Sequence, residues 1–152
     1  MNVRRNLSNE MLNPDYIAGL VDGEGSFTVY IKNLQNNKEI ERRTRAEPKF
    51  YIKLIEKDKK ILYDLKEYFA CGNVYFQKDM RPNHQNCYRY EVTKRDDLEK
   101  IIIPFFKKNK LQFNSKKNDF NIFCNLMERI KVGEHLTDAG LKRMLKIKQK
   151  MH

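Results

Sequence analysis

The sequence has no tryptophan, and its 152 residues include three cysteines, four prolines and six glycines. An odd number of cysteines without disulfide-like spacing argues against a disulfide-stapled secreted scaffold and indicates an intracellular, reducing compartment. The longest apolar run, residues 101–106, is too short to cross a bilayer. Residues 1–13 lack the apolar segment of a signal peptide. We therefore expect no membrane among the partners.

Acidic residues are scarce relative to basic ones. The chain has 20 Asp and Glu against 31 Lys and Arg, which gives a net charge of +11. This excess predicts a polyanionic partner, and with a membrane set aside it favours nucleic acid. Hydrophobic residues make up 40% of the chain, so we expect it to fold, as a single domain over residues 1–152.

Hydrophobic periodicity predicts helices and strands in a simple order. Period-two alternation predicts strands over residues 26–32, 45–54, 74–78 and 87–93. Capping residues predict helices that start near Asn13, Asp58, Asp96, Asn114 or Ser115, and Thr137, and Pro104 should limit the third of these. The order predicts an α+β fold, in which helices cover one face of a four-stranded antiparallel sheet.

The predicted strands keep polar and basic side chains on the face that no helix covers. A pair of such strands can enter the major groove of double-stranded DNA, where Arg, Lys, Gln and Glu discriminate between bases. The candidate DNA-binding residues on this face are Ser26, Thr28, Tyr30, Lys32, Arg45, Glu47, Lys49, Tyr51, Lys53, Tyr75, Gln77, Arg89 and Glu91.

The first predicted helix ends against the usual rules. Asp22 and Glu24 lie at its C-terminus, where the helix dipole disfavours negative charge. A local rule broken this plainly indicates a functional site, and a cation at the helix end would turn both acids into ligands. Gly19 and Gly23 are four residues apart on one helical face, where missing side chains let another backbone approach closely.

This stretch reads IAGLVDGEG over residues 17–25 and resembles the LAGLIDADG motif of homing endonucleases. The strand–strand–helix unit that repeats after it looks like the α-β-β-α-β-β-α core of that family, with extra C-terminal helices from residue 133 onward. The resemblance implies a site-specific DNA endonuclease, encoded by a mobile intron, that makes a double-strand break at a long, near-palindromic target. Its home would be the bacterial cytoplasm, a chloroplast or a mitochondrion.

One alternative stays open: a member of the fold that binds DNA or RNA without cleaving it. Such a protein would be an intron RNA maturase or a transcription regulator, so intron RNA remains a candidate partner. The retained Glu24 favours the nuclease, because a pure binding protein needs no carboxylate that opposes both the helix dipole and phosphate.

A single copy of the motif implies a homodimer, in which two such helices pair side by side. The pairing would involve the helix at about residues 14–24. The residues expected at this interface are Ile17, Gly19, Leu20 and Gly23.

The resemblance also implies the roles of the site residues. Glu24, helped by the carbonyl of Gly23, would bind the metal; carboxylate oxygens suit Mg²⁺, with Mn²⁺ or Ca²⁺ as substitutes. Asp22 belongs to the same catalytic group, although bracing the helix end or the following strand is its more plausible role. Lys116 best matches the lysine of the active centre, and Lys117 is the alternative.

Overall fold

A computed structural model describes residues 12–32 and 45–152 of the chain. The elements in chain order are α1 (Pro14–Glu24), β1 (Gly25–Ile31), β2 (Ala46–Ile55), α2 (Lys59–Phe69), β3 (Asn73–Gln77), β4 (Cys87–Val92), α3 (residues 95–108), α4 (Asn114–Lys131) and α5 (Asp138–Lys148). The strands form one four-stranded sheet in the order β1-β2-β4-β3. The predicted α+β fold is therefore confirmed.

Helix α1 starts at a side-chain cap and ends in a strand without any loop. The side chain of Asn13 accepts a hydrogen bond of 2.8 Å from the backbone N–H of Tyr16, and Pro14 occupies the first turn. At the other end, the N–H of Gly25 donates to the carbonyl of Val21. A Cβ on Gly25 would lie 2.6 Å from Cγ1 of Val21, so the junction needs a glycine. This direct junction fixes the acidic end of α1 beside the start of the sheet.

The chain divides into two compact units. The first consists of Met1–Ser26 and Phe50–Gln112, and the second of Phe27–Lys49 and Phe113–His152. The prediction of a single domain over residues 1–152 stays a prediction.

Aromatic side chains fill the core of the first unit. Phe50 and Tyr90 meet edge to face with their ring centroids 6.4 Å apart, and Phe106 lies 5.6 Å from Phe50. The hydroxyl of Tyr90 donates to the carbonyl of Cys71 at 2.8 Å, which satisfies the one polar atom of that buried side chain. In the second unit, Phe27 packs between two aromatic rings of α4 in the same way.

Helix α3 continues past its proline. A π-helical segment, Leu98–Ile102, is followed by an α-helical segment, Ile103–Lys108. Pro104 lacks the N–H that a regular α-helix would use, and the wider π segment just before it changes the pattern of hydrogen bonds there. The expectation that Pro104 limits the helix was therefore wrong.

Two further expectations from composition concern membranes and thiols. Within residues 12–32 and 45–152, no helix is both long and apolar enough to cross a bilayer. Cys71, Cys87 and Cys124 are free thiols.

Candidate active site and nucleic-acid interface

The two acids at the end of α1 point to different surroundings. Asp22 is buried, with 6% of its surface exposed, whereas Glu24 is exposed to solvent. Two residues along a helix correspond to a rotation of about 200°, so their side chains leave the helix on nearly opposite sides. The local sequence therefore separates one buried carboxylate from one accessible carboxylate.

The buried carboxylate is held by a backbone group. Both oxygens of Asp22 accept from the N–H of Gln112, at 3.0 and 2.9 Å. This contact ties the C-terminal end of α1 to the loop that follows α3. A bracing role at the helix end predicts a contact of this kind.

The exposed end of α1 offers oxygen donors of the kind that hard cations prefer. Glu24 supplies a carboxylate. The carbonyl of Gly23 lies in the last helical turn, where the carbonyl oxygens have no intrahelical N–H from which to accept a hydrogen bond. In the part of the chain that the structure describes, no cluster of three or more His, Cys, Asp or Glu side chains could hold a metal ion. The donors of one chain therefore suit Mg²⁺ only as part of a larger ligand set.

One face of α1 is exposed, and two of its four positions are glycines. Tyr16, Gly19, Leu20 and Gly23 follow the spacing of a single helical stripe, and Tyr16 is 49% exposed. A Cβ placed on either glycine would meet nothing within 4 Å. Ile17 is fully buried within the chain and lies outside this exposed stripe, and the predicted dimer interface stays a prediction.

In the first unit, the polar residues of three strands form a grid. Strand β4 pairs antiparallel with β2 on one side and with β3 on the other. One row across the strands is Lys53, Arg89 and Tyr75, and the adjacent row is Tyr51, Glu91 and Asn73. Gln77 continues β3 on the same face, opposite Cys87, and Ser26 is a half-buried residue of β1.

In the second unit, the polar residues of β1 and β2 alternate with buried ones. Thr28, Tyr30 and Lys32 alternate with Phe27, Val29 and Ile31, while Arg45, Glu47 and Lys49 alternate with Ala46 and Pro48. The predicted alternation of both strands is confirmed.

Helix α5 contacts strand β1 and the residue that precedes β2. The side chain of Arg45 forms an ion pair of 3.1 Å with Asp138, so its guanidinium is engaged within the unit. The ammonium of Lys148 lies 5.9 Å from the centre of the Tyr30 ring, and burial lowers the pKa of Lys148. Sequence reasoning did not identify Lys148, because helical periodicity does not reveal which strand residue a helix end reaches.

The two candidate active-site lysines lie in the first turn of α4. Lys116 is half-buried and Lys117 is exposed. Exposure alone does not choose between them, so the preference for Lys116 stays a prediction.

Helix α1 contains two glycines, ends with acidic residues and leads directly into the first of two consecutive strands. The sequence model of the LAGLIDADG endonuclease family matches residues 17–127. The chain belongs to this family.

Named relatives of this LAGLIDADG chain come from fungi and an archaeon. The "Probable intron-encoded DNA endonuclease 1" of Mycosarcoma maydis is 36% identical over 123 residues, which cover 79% of this chain and 40% of the relative. The "Homing endonuclease I-ApeII" of Aeropyrum pernix is 30% identical over 112 residues, which cover 74% of this chain and 60% of the relative. The "Probable intron-encoded endonuclease 3" of Neurospora crassa is 30% identical and is covered to only 25% of its length. The LAGLIDADG chain thus spans about a quarter to three fifths of these relatives.

Solved structures of homing endonucleases resemble the LAGLIDADG chain closely. The crystal structure of the homing endonuclease I-TnaI superposes with a TM-score of 0.76 at 34% identity. The superposition covers 93% of this chain and 88% of I-TnaI. The structure of I-SmaMI bound to an uncleaved DNA target in the presence of calcium ions superposes with a TM-score of 0.78 at 29% identity, with 93% and 45% covered.

Proposed function

We propose that the protein is a site-specific DNA endonuclease that acts as a homodimer and requires Mg²⁺ to make a double-strand break at a long, near-palindromic target. The observation that carries this proposal is the end of α1, where an exposed carboxylate, Glu24, lies next to an exposed stripe with two glycines. The carboxylate suits metal-assisted hydrolysis, and the stripe suits pairing with a second copy.

Double-stranded DNA is the partner that the strand faces support. In both units the outward side chains of the strands are polar and include basic and aromatic residues, and the net charge of the chain is +11. Such faces can enter a major groove, and cationic side chains at their margins bind phosphates. The names of relatives and of structural neighbours agree with this substrate.

In this proposal Glu24 and the carbonyl of Gly23 would hold a magnesium ion, with phosphate oxygens and water as its further ligands. The ion supplies Lewis-acid stabilisation of the attacking and leaving oxygens when it is bound. Lys116 neutralises negative charge that develops on the phosphate, and Asp22 keeps the end of α1 in place through its contact with Gln112.

The homodimer follows from the exposed stripe of α1. Helices that pair through glycines bring their backbones, and here also their last turns, close together. Two Glu24 side chains would then lie near one twofold axis and act on both DNA strands. The length of I-SmaMI supports this arrangement. The match spans 93% of this chain but only 45% of I-SmaMI, so I-SmaMI is long enough for about two such units.

The test is the substitution Glu24→Gln, which removes a charge and keeps the shape of the side chain. Loss of a metal ligand should slow cleavage by about a thousandfold or more, since metal assistance contributes several kcal/mol. DNA affinity should stay equal or rise, because one negative charge leaves the phosphate-binding region. Glu67→Gln is the matched control, since Glu67 is an exposed glutamate of α2 outside the site.

The assay selects cleaved molecules from a randomised DNA library in the presence of Mg²⁺ and measures binding separately. Cleavage by Glu24→Gln at the wild-type rate would show that the metal assignment is wrong. Specific binding by the wild type without any cleavage would favour the non-cleaving alternative.

Two parts of the hypothesis extend beyond DNA cleavage. An intron as genetic home agrees with the names of the fungal relatives, and intron RNA stays a predicted partner. The three free thiols agree with a reducing compartment, either bacterial cytoplasm or an organelle.

A further inference from the structure

Arg89 occupies the middle of the polar grid of the first unit. On β4 it stands between Lys53 of β2 and Tyr75 of β3. A residue in the central strand of three is flanked on both sides, so its side chain must rise from the sheet or lie along it. Which of these it does depends on its contacts.

Two neighbours hold the guanidinium of Arg89 from different directions. Its Cζ lies 3.5 Å from the centre of the Tyr51 ring, which is the separation of a stacked pair. Its Nε lies 2.8 Å from Oε1 of Glu91, two residues along the same strand. The side chains of Arg89 and Glu91 are 20% and 15% exposed, so both are largely removed from water although they lie on an outward face.

This pair of contacts restrains the arginine in a way that suits base recognition. Stacking on Tyr51 fixes the plane of the guanidinium, and Nε is buried against the carboxylate of Glu91 without forming a hydrogen bond to it. The two Nη groups at the tip are then the donors that a ligand above the sheet would meet. A planar pair of N–H donors matches O6 and N7 of guanine in the major groove, and a restrained side chain loses less entropy on binding.

Lys53, the neighbour of Arg89 in the same row, provides the contrast. It is an exposed lysine, a single point charge on a flexible stem. Such a side chain suits a phosphate contact better than the discrimination of one base.

We propose that Arg89 is the residue that specifies one guanine in each half-site of the target, and that Tyr51 and Glu91 act as its positioning residues. The inference rests on the proposed function, because it assumes that this strand face enters the major groove of a DNA target. It goes further by assigning one base to one side chain and by giving Glu91 a role that does not require contact with DNA.

The test compares the base preferences of variants at every position of the target. Target sites are selected from a randomised library twice, once by cleavage in Mg²⁺ and once by binding with the metal chelated. Arg89→Lys keeps the charge and loses the planar fork, so preference for guanine should fall at one position per half-site by roughly 5- to 150-fold. The preferences at all other positions should remain.

The positioning residues are tested by paired substitutions. Tyr51→Phe keeps the ring and should keep the guanine preference, whereas Tyr51→Leu should reduce it at the same position that Arg89→Lys affects. Glu91→Gln removes the charge that orients Nε and should also reduce the preference there. A residue that only stabilised the sheet would change the unfolding midpoint or overall affinity, and the profile of bases would stay as it was.

Lys53→Ala is the control on the same row of the sheet. Loss of a phosphate contact should weaken binding evenly across sequences and reduce the slope of log affinity against log salt by about 1. The guanine position should keep its preference in this variant.

The failures of the two proposals are distinguishable. If the wild type cleaves no library member, the proposed endonuclease function fails, and the binding selection still reports on Arg89. If the wild type selects a target and Arg89→Lys leaves every base preference unchanged, the assignment of guanine to Arg89 is wrong. The arginine would then only stabilise the sheet through its contacts with neighbouring side chains.

Discussion

At the scale of single residues, the end of α1 separates two acids that the sequence presents as a pair. Asp22 accepts from the backbone of Gln112 with both oxygens, and Glu24 is exposed. Sequence reasoning recognised that two acids at a helix C-terminus need an explanation. It could not identify Gln112, since a backbone N–H some 90 residues away carries no sequence signal.

The structural role of Asp22 leads to a prediction about stability. A hydrogen bond to a buried charged group contributes about 1.5–3 kcal/mol, so Asp22→Ala should lower the free energy of unfolding by about that amount. Asp22→Asn keeps one oxygen acceptor for the Gln112 N–H and should cost less. Urea unfolding measures both variants.

The same variants separate structure from catalysis. At a temperature where Asp22→Asn is folded, it should retain more cleavage activity than Glu24→Gln. Equal loss of cleavage in the two variants, with the fold intact, would instead place Asp22 among the groups that touch the reacting phosphate.

Capping residues show where local sequence is a reliable guide. The predicted caps at Asn13 and Thr137 are confirmed, because each side chain accepts a backbone hydrogen bond at the start of its helix. Helix α4 was predicted to start from Asn114 or Ser115 as cap, but Phe113 occupies the cap position and makes no side-chain hydrogen bond. Phe113 gives no capping signal, so the start of this helix could not be read from local preferences.

At the scale of elements, strands β1 and β2 were predicted well because one face of each is buried. Alternation of apolar and polar residues defines which face that is, and a shift of one residue would expose the whole apolar set. Helix α3 was predicted less well. Its π segment, Leu98–Ile102, depends on how the turns before Pro104 are accommodated, and periodicity does not describe that.

The connection between α4 and α5 depends on a carboxylate between two arginines. Glu134 accepts from Arg129 of α4 at 2.7 Å and from Arg143 of α5 at 2.9 Å. These hydrogen bonds, first from Arg129 and then from Arg143, lower the pKa of Glu134 below its ordinary value of 4.5. A lowered pKa in the folded state means that the ionised form stabilises folding.

This stabilisation should disappear in acid. It is present in full above the unfolded pKa of about 4.5 and is lost as the pH falls through the lower pKa of the folded state. Glu134→Gln should therefore lower the midpoint of thermal unfolding near neutral pH, and its difference from the wild type should shrink at strongly acidic pH. Glu128→Gln, at an exposed glutamate of α4, is the control and should show little difference at either pH. A difference for Glu134→Gln that persists unchanged in strong acid would contradict this role.

At the scale of the whole molecule, the proposed pairing of two copies would explain the two glycines on the exposed stripe of α1. A glycine inside a helix costs about 1 kcal/mol relative to alanine, and within the described chain neither Gly19 nor Gly23 has a neighbour that requires it. A second copy of the helix in close approach would provide such a requirement. The predicted interface includes Gly19, Leu20 and Gly23 of this stripe. It also includes the buried Ile17 and omits the exposed Tyr16, because the rotation of the helix about its axis depends on packing.

The stripe yields a prediction in which stability and assembly change in opposite directions. Gly19→Ala adds a methyl group that has room in the single chain, so helix content at low protein concentration should be retained and the intrinsic stability of the helix should rise by up to about 1 kcal/mol. The same methyl group would separate two paired helices, so dimerisation should weaken, and Gly23→Leu should weaken it further. Asn121→Ala, at an exposed position of α4, raises helix propensity in the same direction and should leave dimerisation unchanged. Sedimentation velocity over a range of concentrations measures dimerisation, and circular dichroism on the same samples measures helix content. Dimers of undiminished affinity in both glycine variants would rule out pairing through α1.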